Sequence, residues 1–186
     1  MTGFAIVLLL VFATLIYFFT VRVREGHKPA LRHIEAFEAI KGSMGQSIES
    51  GQALHISLGI GGIADQTTAD SLAGLSVLRY VGNQAATTGV SPTVSMADPM
   101  VLLMAQQAMQ SAFGNDRAGA ADTYQNIYWT APQPAAYAAG VLNILNVDEV
   151  KTNVMFGHFG DEYLLMGETA VRNNTMHIGG ASDPNV

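Results

Sequence analysis

The chain has no cysteine, so no disulfide framework can hold it together, and its composition agrees with a reducing compartment. Charge is the next shortage: 13% of residues are Asp, Glu, Lys or Arg, against roughly a quarter in an ordinary soluble protein. Basic residues are scarcest beyond residue 41, where Arg79, Arg117, Lys151 and Arg172 stand against twelve Asp or Glu. A domain with that acidic balance is a poor partner for a phosphate backbone, which argues against nonspecific nucleic-acid binding. The sequence also lacks a nucleophile elbow, a Walker loop, zinc-ligand spacing and an RNA-binding signature. No motif-defined enzyme class is indicated, and no cofactor is predicted.

What the chain does have begins at its first residues. Gly3 to Val21 is an uncharged apolar run that stops at Arg22. As a helix rising 1.5 Å per residue, it matches the roughly 30 Å hydrocarbon core of a bilayer, so residues 3–21 are predicted to contact membrane lipid. A cleaved signal peptide would place basic residues before a shorter apolar core and a small-residue site after it. Here Arg22, Arg24, Lys28 and Arg32 follow the run, offset only by Glu25, and bulky Tyr17, Phe18 and Phe19 stand where cleavage would occur. Those aromatics suit an interfacial belt. Positive charge after a span is held on the cytoplasmic side, so the expectation is a single pass through the inner (cytoplasmic) membrane, with the N-terminus outside and residues 22–186 inside.

The predicted organisation is a transmembrane anchor over 1–22, a basic juxtamembrane linker with an amphipathic helix over 23–50, and an α/β domain over 51–186. Roughly 165 residues past the anchor are enough for one domain with its own core. Pro29 suits the first position of a helix. Leu31, Ile34, Phe37 and Ile40 then recur every three residues between Glu35, Glu38 and Lys41, predicting an amphipathic helix over 30–41 that continues to Gly51 with a break near Gly42 to Gly45.

From Leu54 the chain repeats a short apolar strand, a turn and a helix. Strands are predicted at 54–58, 93–97, 127–130, 153–156 and 176–178, and helices near 68–86, 99–113, 134–146 and 161–172. Asp98 before Pro99, Pro134, and Asp161 with Glu162 mark helix starts; Gly89 and Gly114-Asn115 mark stops. Strands separated each time by a helix run parallel. The fold class is therefore α/β: a doubly wound, mainly parallel, five-stranded Rossmann-like sheet preceded by one N-terminal transmembrane helix.

Ligands of such sheets bind beyond the carboxyl ends of the strands. After the first strand, Gly59, Gly61 and Ala64, with Gly62 between them, fit the G-x-G-x-x-G/A pattern that lets backbone N–H groups approach a pyrophosphate. The acidic residue that should follow about twenty positions later is absent. Asp98 is the candidate and lies farther on, while Asp65 puts a carboxylate where phosphate would arrive. The alternative is that these glycines make a tight turn and a close helix–sheet or subunit contact. After the fourth strand, His158, Asp161 and Glu162 could ligate a metal or supply acid–base chemistry, although both carboxylates also suit a helix N-terminus. His55 reads as a satisfied core histidine, and Tyr128 and Trp129 as ring-stacking or interface residues.

The stretch ALHISLGIGGIADQTTADSLAGLSVLR (53–79), the later AAYAAGVLNIL and then MFGHFGDEYLLMGETA resemble DUF6754, an uncharacterised family of bacterial membrane-anchored domains, over most of residues 33–180. The resemblance implies a Rossmann-like domain beside membrane helices and transfers no catalytic residue. Family members continue past the last strand, whereas this sequence ends soon after Gly179-Gly180, so the resemblance leaves open whether more of the protein exists or whether another chain completes the fold.

Three functions follow as expectations. The first is a structural subunit that self-associates as a homo-oligomer or packs with other subunits of a membrane complex, because a surface so poor in charge is expected to be covered. The second is a nucleotide or small-anion binding or sensory module using the turn at 59–64. The third is a hydrolase or oxidoreductase that pairs His158 with Asp98 or Asp161.

Overall fold

The computed structural model describes residues 2–26, 33–89, 91–114, 117–148 and 150–183. Lys28, Pro29, Arg32 and Asn115 of the sequence reading lie outside them. The chain divides into two compact units, one ending at Ile34 and the other starting at Glu35. The first is helix α1 (Thr2–Arg24). Its stretch Gly3–Arg24 is long and apolar enough to cross a membrane, spanning about 33 Å at 1.5 Å per residue.

The second unit opens with α2 (Glu35–Ser50) and continues β1 (Leu54–Gly59), α3 (Thr68–Thr88), β2 (Thr93–Met96), α4 (Pro99–Phe113), α5 (Arg117–Gln125), β3 (Ile127–Trp129), α6 (Pro134–Val147), β4 (Thr152–His158), α7 (Glu162–Arg172) and β5 (Met176–Ala181). The five strands are all parallel, in the order β3-β2-β1-β4-β5. This is the doubly wound α/β arrangement, and its switch point falls between β1 and β4.

The two faces of the sheet are buried differently. Leu54, Ile56 and Leu58 alternate along β1 and, with Val94, Met96 and Val154, meet Leu78 and Val81 of α3, Val101 and Met109 of α4, and Ile40 and Met44 of α2. On the opposite face Met155 and Phe159 pack against Tyr137 and Val141 of α6 and Met166 and Ala170 of α7. Burial of both faces explains why no strand carries an Asp, Glu, Lys or Arg.

Four elements, α2, α5, β4 and β5, differ most from the sequence reading. The amphipathic helix starts at Glu35, since His33 and Ile34 are not helical, and it runs unbroken through Gly42 and Gly45. Each glycine costs the helix about 1 kcal/mol, but Ile40 and Met44, one turn apart, are pinned in the sheet core and Phe37 stacks on Phe156 with ring centroids 6.2 Å apart. The same packing places 35–50 with the sheet rather than with the juxtamembrane stretch. Helix α5 has no counterpart in the sequence reading. Strands β4 and β5 extend to His158 and Ala181, so His158 belongs to a strand end rather than to a turn.

Candidate functional site

At the carboxyl edge, β1 leaves the sheet toward α3 on one face and β4 toward α7 on the other, which opens the crevice expected of a switch point. Gly59 pairs with His158 across it, with φ of 80°, a left-handed conformation that glycine adopts without strain. A side chain at Gly59 would run into the His158 carbonyl. That carbonyl accepts the Ile60 N–H at 2.9 Å, and the Gly59 carbonyl accepts the Ala97 N–H at 3.1 Å, so the turn is stitched to β4 and to the end of β2.

The next two glycines are packed by side chains of the same domain. A Cβ on Gly61 would lie 2.7 Å from Ser71 Oγ and 2.9 Å from His158 Cβ; one on Gly62 would lie 2.9 Å from Asp65 Oδ2 and 3.3 Å from Asp98 Oδ2. Asp98 therefore reaches the glycine turn, as a dinucleotide fold would require, although its distance along the chain disguises this. Ala64 holds φ of 74°, which costs a residue bearing a Cβ about 1–2 kcal/mol.

Of the four helices that begin at this edge, α4 is capped by a carboxylate, α3 and α7 have carboxylates bonded in the turns before them, and α6 starts at Gln133-Pro134 with no side-chain cap. Asp65 Oδ1 accepts the Thr67 N–H at 2.7 Å and the Thr67 hydroxyl at 2.6 Å at the entry to α3. Thr67 Oγ1 in turn accepts the Gly62 N–H at 2.8 Å. The Thr67 hydroxyl, then its amide, hold the exposed Asp65 carboxyl below its ordinary range by favouring the charged form. Asp98 Oδ1 accepts from Met100 and Val101 N–H at 2.8 and 2.9 Å and caps α4. Glu162 Oε1 accepts the Gly160 N–H at 2.8 Å before α7, whereas Asp161, expected to share this task, makes no side-chain cap. At α4, and in the turns before α3 and α7, N–H groups that could meet a phosphate are thus taken by the chain's own carboxylates.

His158 bonds neither expected partner. Its Nδ1 lies 3.1 Å from Oδ2 of Asp70 on α3, and the same oxygen accepts the Ser182 hydroxyl at 2.6 Å. The pair ties the ends of β4 and β5 to α3. Among the described residues, no three His, Cys, Asp or Glu side chains gather as a metal site would need. The His158, Asp161 and Glu162 set therefore does not assemble as a three-residue metal centre.

Behind the crevice runs a buried polar chain that the sequence reading missed apart from His55. Tyr137 OH meets Ser57 Oγ at 2.6 Å and Ser95 Oγ at 3.1 Å and accepts the Gly59 N–H at 3.3 Å. His55 Nε2 meets Ser95 Oγ at 2.9 Å, and its Nδ1 meets Asn153 Oδ1 at 2.8 Å. Asn153 Nδ2 then meets His177 Nδ1 at 3.3 Å, and His177 Nε2 meets Tyr163 OH at 3.1 Å. An amide oxygen only accepts and an amide nitrogen only donates, so the network assigns His55 the Nδ1–H tautomer and His177 the Nε2–H tautomer. Burial pushes His55 down to about 4, against the partial support of its bond to Asn153, and lowers His177 as well. It raises Tyr137 and, less completely buried, Tyr163. The network keeps both imidazoles neutral and fixes the register of four strands.

Topology and site together define a doubly wound α/β domain following a helix able to cross a membrane, with acidic side chains gathered along its carboxyl edge. The family model for the domain of unknown function DUF6754 matches residues 2–185, and the chain belongs to that family. No curated protein and no solved structure matches it significantly.

Proposed function

We propose that the chain is a single-pass membrane-anchored assembly subunit, held by α1 in the inner membrane with its α/β domain on the cytoplasmic side, which self-associates or packs against other subunits of a membrane complex. The observation that carries this reading is the outward face of the domain. Leu164, Leu165 and Val171 of α7 are 62%, 52% and 70% exposed, and Met100 and Leu103 of α4 are 52% and 59% exposed. Apolar side chains displayed in groups on two helices, on a surface with few charges, favour a covered surface over a solvated one. The self-capped helix ends support the same reading, because they leave little for an anionic ligand to gain. Arg22 and Arg24 at the end of α1 support the orientation.

Light scattering of the full chain in a mild detergent tests the proposal. The expected protein mass is a multiple of 19.7 kDa, or a larger co-purified complex of fixed composition. A monodisperse monomer, equally stable alone, overturns it.

A further inference from the structure

The outer surfaces of α3 and α4 enclose a half-open cavity of about 620 Å³, whose walls include Leu72, Leu75, Arg79, Met104, Gln107 and Ala108. Its lining is mixed, with Ser76, Gln107 and Ser111 beside the apolar Leu72, Leu75, Met104 and Ala108, and its one cation is Arg79, which is exposed on α3. Among the described residues the ion pair formed is His158 with Asp70, so Arg79 has no acidic partner within the domain. On the opposite face of the sheet, α7 presents Leu164, Leu165, Glu168 and Val171 outward, at the spacing of a single helical face. Glu168 likewise has no cationic partner, even though Arg172 lies one turn along. The domain thus carries a groove of mixed lining with one unpaired positive charge and an apolar ridge with one unpaired negative charge.

We infer that the groove is the docking site for α7 of a second copy of this chain, with Leu164, Leu165 and Val171 against Leu72, Leu75 and Met104 and Glu168 against Arg79. This deepens the self-association reading above and rests on it. The chemistry is that of a helix laid in a groove, where apolar anchors supply contact area and a charge pair fixes register. Groove and ridge lie on opposite faces, so two copies cannot satisfy each other reciprocally. The contact is head-to-tail and leaves a free groove at one end and a free ridge at the other. On a membrane, tethering confines all copies to one layer, and the array closes as a ring or extends within that layer.

The absence of native cysteine gives a clean background for the test. The full-length protein in membranes carries Gln107→Cys in the groove and Leu165→Cys on the ridge and is treated with a short bismaleimide. A ladder of dimers, trimers and larger species is expected. Adding Arg79→Glu or Glu168→Arg should slow cross-linking roughly fivefold, and the two together should restore it. A ladder indifferent to these charges overturns the assigned contact. Protein that is larger than a monomer in detergent yet gives no ladder overturns the groove while leaving self-association standing. A monomer overturns both.

Discussion

His55 sits fully buried at the centre of the sheet, donating from Nδ1 and accepting at Nε2, and an added proton would put a charge where no carboxylate stands in contact. Its pKa falls from 6.5 to about 4 on folding. Between those values the unfolded chain binds a proton that the folded chain refuses, so stability rises with pH over this window. It is fully present above about 6.5 and is lost as pH falls toward 4. At 1.36 kcal/mol per unit, the loss from this one residue is about 2 kcal/mol by pH 5 and about 3 kcal/mol at pH 4. That is a large fraction of the stability of a domain this size.

The perturbation that isolates it is His55→Gln, which keeps an amide able to serve one neighbour but does not titrate. The variant is less stable at pH 7, because one of two buried bonds is lost and the fit is poorer. Its deficit should shrink by about 3 kcal/mol between pH 7 and pH 4, since only the unmutated protein pays for refusing the proton. Urea unfolding of the detergent-solubilised chain, followed by the fluorescence of its single tryptophan, Trp129, measures both profiles. Carboxylates titrate in both proteins and cancel in the difference. His177, lowered in the same direction, also remains in both. Parallel profiles, or a ring resonance of His55 titrating near 6.5 in the folded protein, would refute the assignment of a neutral buried imidazole.

Two further outcomes follow from the turn. Gly61→Ala puts a methyl group 2.7 Å from Ser71 Oγ and should cost about 1–3 kcal/mol in thermal or urea melts. Ser71 Oγ is buried without a hydrogen-bond partner, so Ser71→Ala should be neutral or stabilising by up to about 1 kcal/mol and should relieve part of the Gly61→Ala cost; strict additivity refutes the contact. Millimolar ATP, NAD or inorganic phosphate should leave the melting temperature of the full chain unchanged, because Asp98 caps α4 and Asp65 and Glu162 already take N–H groups in the turns before α3 and α7. A saturable rise with any of these ligands contradicts that account.

Much of the architecture was legible because its signals are local. Asp98-Pro99 and Gly114 bracket α4 at both ends, and each strand–helix alternation implies a parallel crossover without knowledge of the partner strand. The misses share a different origin. Glycines inside α2 look like a break until the sheet supplies Ile40 and Met44 with a place to pack. Helix α5, read as RAGAADTYQ, has alanines but little apolar periodicity. The alternation of His55 and Ser57 with Leu54, Ile56 and Leu58 shows that one face of β1 is polar, yet the groups that satisfy that face come from 40 to 98 residues away. Asp70 and His158 are 88 residues apart, and no local pattern joins them.

The carboxyl edge keeps the geometry of a dinucleotide fold while its own carboxylates take several of the N–H groups around the glycine turn. The tight turn, the switch point and an acidic residue beside Gly62 all follow from wrapping parallel strands with helices in this order. Phosphate binding needs something more, namely backbone N–H groups left without partners at a helix end and a local field that welcomes negative charge. Here Asp65 takes the Thr67 N–H and Asp98 takes two at α4, while the Gly62 N–H goes to the Thr67 hydroxyl. A dianionic group would have to displace carboxylates that are covalently part of the loop and therefore always present at high effective concentration. The glycines are then explained by contact alone: Gly59 against a backbone carbonyl, Gly61 against Ser71 and His158, and Gly62 between two carboxylates. These contacts support the proposal that the functional surface lies away from the crevice, on the outer faces of α3, α4 and α7, where apolar side chains and unpaired charges remain for another molecule to meet.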